Sequence, residues 1–343
     1  MCTAVAGLWF AAGASAIEVT KWEAGTCANS ECKDSDVNEG KANYFYTQAA
    51  GHPDFGITDF AFKTHTDGLL KAEVPDEHVE DVRVDLPPGL AVNPEATVAK
   101  CTEEELNADE ELCPAASQVG VDEATGTATV LAKLTIKEEF PVYNMVRKPG
   151  QPARFGVEIN SAKLELFPKL QGHIYLEGGI SWHKEPVTPE NSGVATGDYH
   201  EYFEIKEIAK EPEVVESRLV FWGVPQEHQK APTEPAKAFL TLPSTCAEEP
   251  VTYLHANSYE NPGDWAAIPN QTPVTATGCS SLALDLTLSL APETTQSDAP
   301  DGVTAGLHVP QATNEPSKPN SPDIESAVVT LPEGMTLNPA AAH

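Results

Sequence analysis

The sequence predicts an all-β fold made of tandem antiparallel β-sandwich modules of the immunoglobulin-like kind, with one short helix near residues 102–110. Apolar residues alternate with polar ones, most clearly at Val82, Val84 and Leu86, a pattern typical of strands that bury one face. The 343 residues include 29 prolines, a density that disfavours long helices. A strand-and-turn segment near residue 86 also recurs near residue 331, which indicates modular construction.

Residues 1–16 have the features of a signal peptide. An apolar run from Ala4 ends in Ala14-Ser15-Ala16, which is typical of a cleavage site, although no basic residue precedes the run. The run is too short for a transmembrane helix, which needs about 20 residues. We therefore expect a secreted chain without a transmembrane span.

Residues 17–116 form the first predicted β module, and its acidic loop is a candidate calcium site. Asp34, Asp36 and Asn38 have the spacing that begins a calcium loop. The following positions depart from the EF-hand pattern, because Glu39 stands where glycine is needed and Phe45 where a glutamate is needed. The alternatives are a looser Ca²⁺ site and a solvated acidic loop, and we expect no other cofactor.

Six cysteines after the export segment indicate disulfides. An even number in a secreted chain is typical of a disulfide framework, and the simplest pairing is sequential. A zinc site is disfavoured because no two cysteines have the C-x-x-C spacing. The expected pairs are Cys27–Cys32, Cys101–Cys113 and Cys246–Cys279.

The second of these pairs sets a condition on the predicted helix. Thr102 and Glu105 have the spacing of a capping box, so a helix should begin after Cys101. A straight helix reaching Cys113 would separate the two cysteines by roughly 16–18 Å, whereas a disulfide needs Cα atoms within about 7 Å. The helix must therefore end after one or two turns, or the pairing is wrong.

Residues 117–280 form the predicted middle β-sandwich region, which contains a candidate glycan-binding cluster. Trp182, Tyr199, His200 and Tyr202 lie near acidic residues, and aromatic faces stack on sugars while carboxylates accept hydrogen bonds from hydroxyl groups. The alternative is a strand whose aromatic side chains pack across a sheet.

Residues 281–343 are predicted to start a second module that is cut short. Leu86, Pro87, Gly89, Asn93 and Pro94 recur 245 residues later. Their counterparts are Leu331, Pro332, Gly334, Asn338 and Pro339. Proline ends a strand ladder and glycine permits the positive φ of a turn, so the motif predicts a strand exit rather than chemistry.

Charge and motif content narrow the classes of function. The formal net charge of −31 disfavours nucleic acid and anionic lipid as partners and favours cations. The chain contains no G-x-S-x-G elbow, no H-E-x-x-H pair and no phosphate-binding glycine loop. We therefore identify no catalytic residues and expect that the protein is not an enzyme.

Several motifs together resemble large, secreted, repeat-containing proteins of high-GC actinobacteria. The resemblance extends from about Trp22 to the end of the chain and implies an exported, β-rich surface protein, with no assigned activity or site residues. It is carried by residues 46–53 (YTQAAGHP), 86–90 (LPPGL), 113–114 (CP), 117–120 (SQVG), 221–225 (FWGVP) and 331–339.

The leading functional hypothesis is an extracellular structural or adhesive protein associated with the cell surface, whose partners are surface glycans or other copies of itself. The first alternative is a glycan-binding module that uses the aromatic cluster. The second is a secreted hydrolase, which would need paired carboxylates in a cleft.

Overall fold

The computed structural model describes residues 16–29, 32, 45–108, 112–129, 132–159, 172–182, 199–230, 232–246, 250–270, 274–297, 299–331, 333–336 and 338. Within these residues, strands dominate and the α-helices are limited to α1 (Glu103–Leu106) and α2 (Pro225–His228). The all-β prediction is therefore confirmed. None of the helices in these ranges has the length and apolar character needed to cross a membrane. Residues 1–15 of the predicted export segment lie outside the described residues.

Seventeen strands are assigned in the described ranges. In chain order they are β1 (Val19–Cys27), β2 (Phe55–Phe62), β3 (Thr64–Asp67), β4 (Ala72–Pro75), β5 (Val79–Asp85), β6 (Ala91–Val92), β7 (Gln118–Thr129), β8 (Lys133–Asn144), β9 (Arg154–Ile159), β10 (Gly172–Trp182), β11 (Tyr199–Ile205), β12 (Glu213–Trp222), β13 (Leu240–Thr241), β14 (Tyr253–Ser258), β15 (Ala266–Pro269), β16 (Thr287–Pro292) and β17 (Val303–His308).

Eleven of these strands form one antiparallel sheet in the order β1-β2-β12-β7-β8-β9-β10-β11-β5-β14-β15. Strand β5, from residues 17–116, lies between two strands from residues 117–280, because Val84 of β5 pairs with Phe203 of β11 and with Leu254 of β14. The two segments therefore share a sheet, and the division near residue 116 does not separate two sheets.

The large sheet is nearly barrel-shaped, because its two end strands lie side by side. The Trp22 indole N–H donates to the carbonyl of Thr252 at 3.4 Å, and the Asn270 side-chain amide donates to the carbonyl of Ala24 at 3.3 Å. One curved sheet thus replaces the predicted tandem immunoglobulin-like sandwiches. The alternating pattern shows that one face of each strand is buried. It does not show whether that face packs against a second sheet or against the opposite wall of the same sheet.

The inner face of the sheet carries the apolar core, in two adjoining clusters. One contains Phe155, Phe203, Phe221 and Phe239, whose neighbouring rings lie 5.1–6.1 Å apart. The other is built around Trp22, Phe60 and Leu254, among others. Aromatic burial of this kind is a major source of core stability.

The outer face of β1, β2, β12 and β7 carries a row of ion pairs. Lys21 bridges Asp59 at 2.8 Å and Glu216 at 3.0 Å, and Arg218 contacts Glu123 at 3.1 Å. Oppositely charged residues across neighbouring strands support the pairing register. The alternation of ionic and apolar residues therefore fixes which face of each strand points inward.

Helix α1 satisfies the condition set by the cysteines. It is one turn long, and its capping box has both predicted hydrogen bonds between Thr102 and Glu105. Cys101 and Cys113 then lie at disulfide distance, with Cα atoms 5.0 Å apart. The Cα separations of Cys27–Cys32 and Cys246–Cys279 are 5.7 and 6.1 Å, so all three sequential pairs have disulfide spacing.

The described residues after 281 include the separate hairpin β16–β17, which is not part of the large sheet. Residues 327–331, which alternation predicts to be a strand, have no strand assignment. Gly89 and Gly334 have φ values of 83° and 89°, as the strand-exit interpretation of the two LP-x-G motifs predicts.

Candidate functional site

The interior of the large sheet, here called the lumen, has a wall with small side chains on β1, β2 and β7 and with larger ones such as Leu219 on the intervening strand β12. Ala24 of β1 and Thr58 of β2 are paired across the sheet and both line the lumen. Gly56, Ala124 and Gly126 extend this wall along β2 and β7. The side chains of Ala24, Thr58 and Ala124 reach only a short way into the lumen, whereas the space beside Gly56 is filled by Leu240.

The opposite wall is made of branched and aromatic side chains. It comprises Val82, Val84, Val157, Ile159, Ile174, Leu176, Phe203 and Ile205. These residues belong to β5, β9, β10 and β11, which are consecutive or neighbouring strands of the sheet. The lumen surface is consequently mostly apolar.

Between these walls lies a cavity of about 180 Å³. An apolar cavity of about 150 Å³ stays dry and holds a benzene molecule, so this one has room for a monocyclic aromatic compound or a short branched alkane. Drug-sized ligands usually occupy about 300–1,000 Å³. The size of the cavity therefore favours small apolar ligands.

Asp122 of β7 is the principal polar group of the lumen. It lines the cavity, is only 5% exposed, and accepts a hydrogen bond of 2.9 Å from the Ser217 hydroxyl on β12. Burial raises the pKa of the Asp122 carboxyl to about 6, against the lowering effect of the Ser217 hydrogen bond and with a further rise from nearby Glu123. The group therefore changes charge in weakly acidic solution.

Glu201 of β11 is a second carboxyl with a shifted pKa. It accepts a hydrogen bond of 3.0 Å from the backbone N–H of Val92. Burial raises the pKa of Glu201 to about 7, despite that hydrogen bond. Glu201 does not itself line the cavity, so Asp122 is the group that a bound molecule would meet.

The four residues of the predicted glycan-binding cluster occupy different surroundings. Tyr199 is 66% exposed, whereas His200 is 2% exposed and lies on the opposite side of β11. Tyr202 is half-buried against Gly179 and beneath the Arg83 guanidinium, which lies 3.8 Å from its ring centroid. Trp182 pairs through its backbone with Tyr199. The structure thus buries His200 on the outer face of the sheet and leaves Tyr199 exposed.

His200 belongs to a buried ionic cluster on the outer side of β5. Its Nε2–H donates to Asp85 at 2.9 Å, His255 lies 3.1 Å from the same carboxylate, and Arg83 donates at 2.9 Å. Burial alone would raise the pKa of Asp85, but these three partners hold it well below its usual range. The cluster ties together β11, β5 and β14, and its polar groups face one another rather than a cavity.

The other predicted site residues are placed as follows. Asp34, Asp36 and Asn38 of the candidate calcium loop lie outside the described residues. Among the residues that the structure describes, no three His, Cys, Asp or Glu side chains are grouped so as to hold a metal ion. The six cysteines lie in the three pairs given above.

Sequence reasoning did not identify the lumen or Asp122. The sequence of β7 does place Gly120, Asp122, Ala124 and Gly126 on one face of the strand, so that a single acid stands among small residues. Such a face normally points to solvent. In this protein that face of β7 lines a cavity, because the sheet curves and the face points inward.

Comparison of the chain with protein-family models, with curated proteins and with solved structures returned no match.

Proposed function

We propose that this chain is an extracellular binding protein that holds a small apolar molecule in the lumen of its sheet without transforming it. The observation that carries the proposal is the apolar cavity of about 180 Å³ between the small-residue wall and the branched wall. Ligand pockets are typically concave, mostly apolar and equipped with a few polar groups, and Asp122 with Ser217 supplies that polar part.

The extracellular part of the proposal is supported by the cysteines. Three pairs lie at disulfide distance, and disulfides persist mainly in oxidising compartments. The export-signal features of residues 1–16 and the resemblance to secreted actinobacterial proteins point in the same direction.

The proposal is tested by thermal unfolding in the presence of ethylbenzene, which matches the cavity in size and polarity. A ligand at about ten times its Kd stabilises a folded protein by about 1.4 kcal/mol. We expect the unfolding midpoint to rise by a few degrees, roughly 2–4 °C for each kcal/mol in a domain of this size.

The variant Ala124→Phe should abolish that shift, because a phenyl ring at position 124 would project into the cavity. Ala61→Phe is the matched control, since Ala61 pairs with Lys21 on the outer face of the sheet. The control should keep the ethylbenzene shift. An unchanged midpoint for the wild-type chain, or an equal shift in Ala124→Phe, would refute binding in the lumen.

A second candidate function is the structural or adhesive role, with other copies of the chain as partners. The observation that favours it is the β16–β17 hairpin, on which Leu288 and Leu307 are directly paired and are 55% and 46% exposed. Exposed apolar side chains on an open strand pair are typical of interaction surfaces. This function and ligand binding use different parts of the molecule and are compatible.

A further inference from the structure

Asp122 is the single ionisable side chain among the described residues that line the lumen cavity. Lysine, arginine and histidine are absent from that described part of the lining. Buried carboxylates are normally paired with a cation or supplied with several hydrogen bonds, since an isolated buried charge is costly. This carboxylate therefore has an unusual position for a group whose only purpose is structural.

The hydrogen bonding of Asp122 leaves room for a further donor. Ser217 donates one hydrogen bond, to Oδ1 at 2.9 Å. An ionised carboxylate offers about four acceptor positions, so the Ser217 hydroxyl takes one and also fixes the carboxylate in place. Leu219 and Phe140 pair with Asp122 on the two neighbouring strands and surround it with apolar surface.

We propose, on the basis of the proposed function, that the ligand of the lumen is a small amphipathic amine whose protonated amino group pairs with Asp122 and Ser217. Its apolar body would lie against the branched wall formed by residues such as Val84, Val157 and Ile174. The amino group neutralises the buried charge, and the body occupies space that the small-residue wall leaves open.

Other ligand classes fit the lumen less well. An anionic molecule would place a second negative charge beside Asp122, inside a chain whose formal net charge is −31. A neutral hydrocarbon fits the walls but leaves the carboxylate without a counter-charge. An ammonium group offers three donors and a positive charge, and charge-assisted hydrogen bonds are stronger than neutral ones.

The experiment compares three probes of similar size by calorimetric titration at about pH 8, where the Asp122 carboxyl is ionised. The probes are benzylamine, its neutral counterpart ethylbenzene and the anion benzoate. We expect benzylamine to bind at least about tenfold more tightly than ethylbenzene, and benzoate to bind most weakly.

Asp122→Asn should weaken benzylamine binding by about tenfold or more and leave ethylbenzene binding unchanged. Glu123→Gln is the matched control, because it removes a carboxylate from the next residue of β7 on the outer face, where Glu123 contacts Arg218. Glu123→Gln should retain the preference of the wild-type chain for the amine.

The outcomes separate this inference from the proposed function. Ethylbenzene binding without any preference for benzylamine, or a preference that survives in Asp122→Asn, would overturn the amine assignment and leave the apolar lumen site intact. Failure of both benzylamine and ethylbenzene to bind would overturn the site itself. A preference lost only in Asp122→Asn would support both.

Discussion

At the residue scale, the surroundings of two buried aspartates shift their pKa values in opposite directions. Asp85 meets His200, His255 and Arg83, and its pKa is lowered. Asp122 meets one hydroxyl in an apolar lumen, and its pKa is raised to about 6. Asp85 thus stabilises the fold as an ionised group, whereas burial makes ionisation of Asp122 unfavourable.

The raised pKa of Asp122 predicts a specific dependence of stability on pH. Between about pH 4 and pH 6 the folded chain holds a proton that the unfolded chain has released, so stability falls as the pH rises through this range. Above about pH 6, ionisation of Asp122 lowers the free energy of unfolding by about 3 kcal/mol. Asp122→Asn should therefore match the wild-type chain near pH 4 and be more stable near pH 8, as measured by urea unfolding.

Glu123→Gln is again the control for this measurement. Glu123 lies on the solvent side of β7 in an ion pair with Arg218, and its side chain is 37% exposed, so its removal should change stability by no more than about 1 kcal/mol. A stability difference between Asp122→Asn and the wild type that is the same at every pH would contradict the raised pKa. Stabilisation of Asp122→Asn with loss of amine binding would be a trade-off between stability and function.

At the element scale, the sequence predicted local structure better than it predicted assembly. Helix α1 was correctly limited to one or two turns, because the Cys101–Cys113 distance and the Thr102 capping box are both local constraints. The positive φ at Gly89 was also predicted from its motif. These features depend on residues within about a dozen positions of one another.

Pairing between distant strands was not predictable in the same way. Strand β5 lies between β11 and β14, so it pairs with residues more than a hundred positions away in the sequence. The alternating pattern of a strand does not indicate which other strand it pairs with. Asp122 faces the lumen because the sheet built from these distant pairings is curved. For this reason the sequence identified the surface residue Tyr199 as a site candidate and missed the lumen.

The β16–β17 hairpin predicts self-association of the chain. In the described residues its two strands pair only with each other, and Leu288 and Leu307 form an exposed apolar pair. We expect sedimentation velocity at rising protein concentration to show a concentration-dependent dimer. The double variant Leu288→Asp/Leu307→Asp should be monomeric, because two charges on this pair oppose apolar contact.

Ser289→Asp provides the comparison for the hairpin. Ser289 lies on the same strand but faces the other side of the hairpin, next to Gly306, so a charge there should leave the dimer intact. A wild-type chain that stays monomeric across the concentration range would count against the structural or adhesive role.

At the scale of the whole molecule, one curved sheet surrounds an interior that contains a cavity. The outer face carries ions such as Lys21 and Asp59, and the inner face carries apolar side chains. The cavity lies between the alanine and threonine side chains of β1, β2 and β7 and the branched residues on the opposite wall. The same inward-facing residues therefore contribute to ligand binding, to stability and to the fold.

Methyl-resolved NMR during an ethylbenzene titration tests this claim most directly. Leu219 and Val220 are consecutive on β12, but Leu219 lines the cavity, whereas Val220 does not line it and packs with Cys27 on the outer side. The account predicts that the methyl signals of Leu219 and Val84 shift with a common saturating dependence on ethylbenzene, while those of Val220 stay in place. Unmoved signals for Leu219 and Val84, or equal shifts for Val220, would contradict a binding site in the lumen.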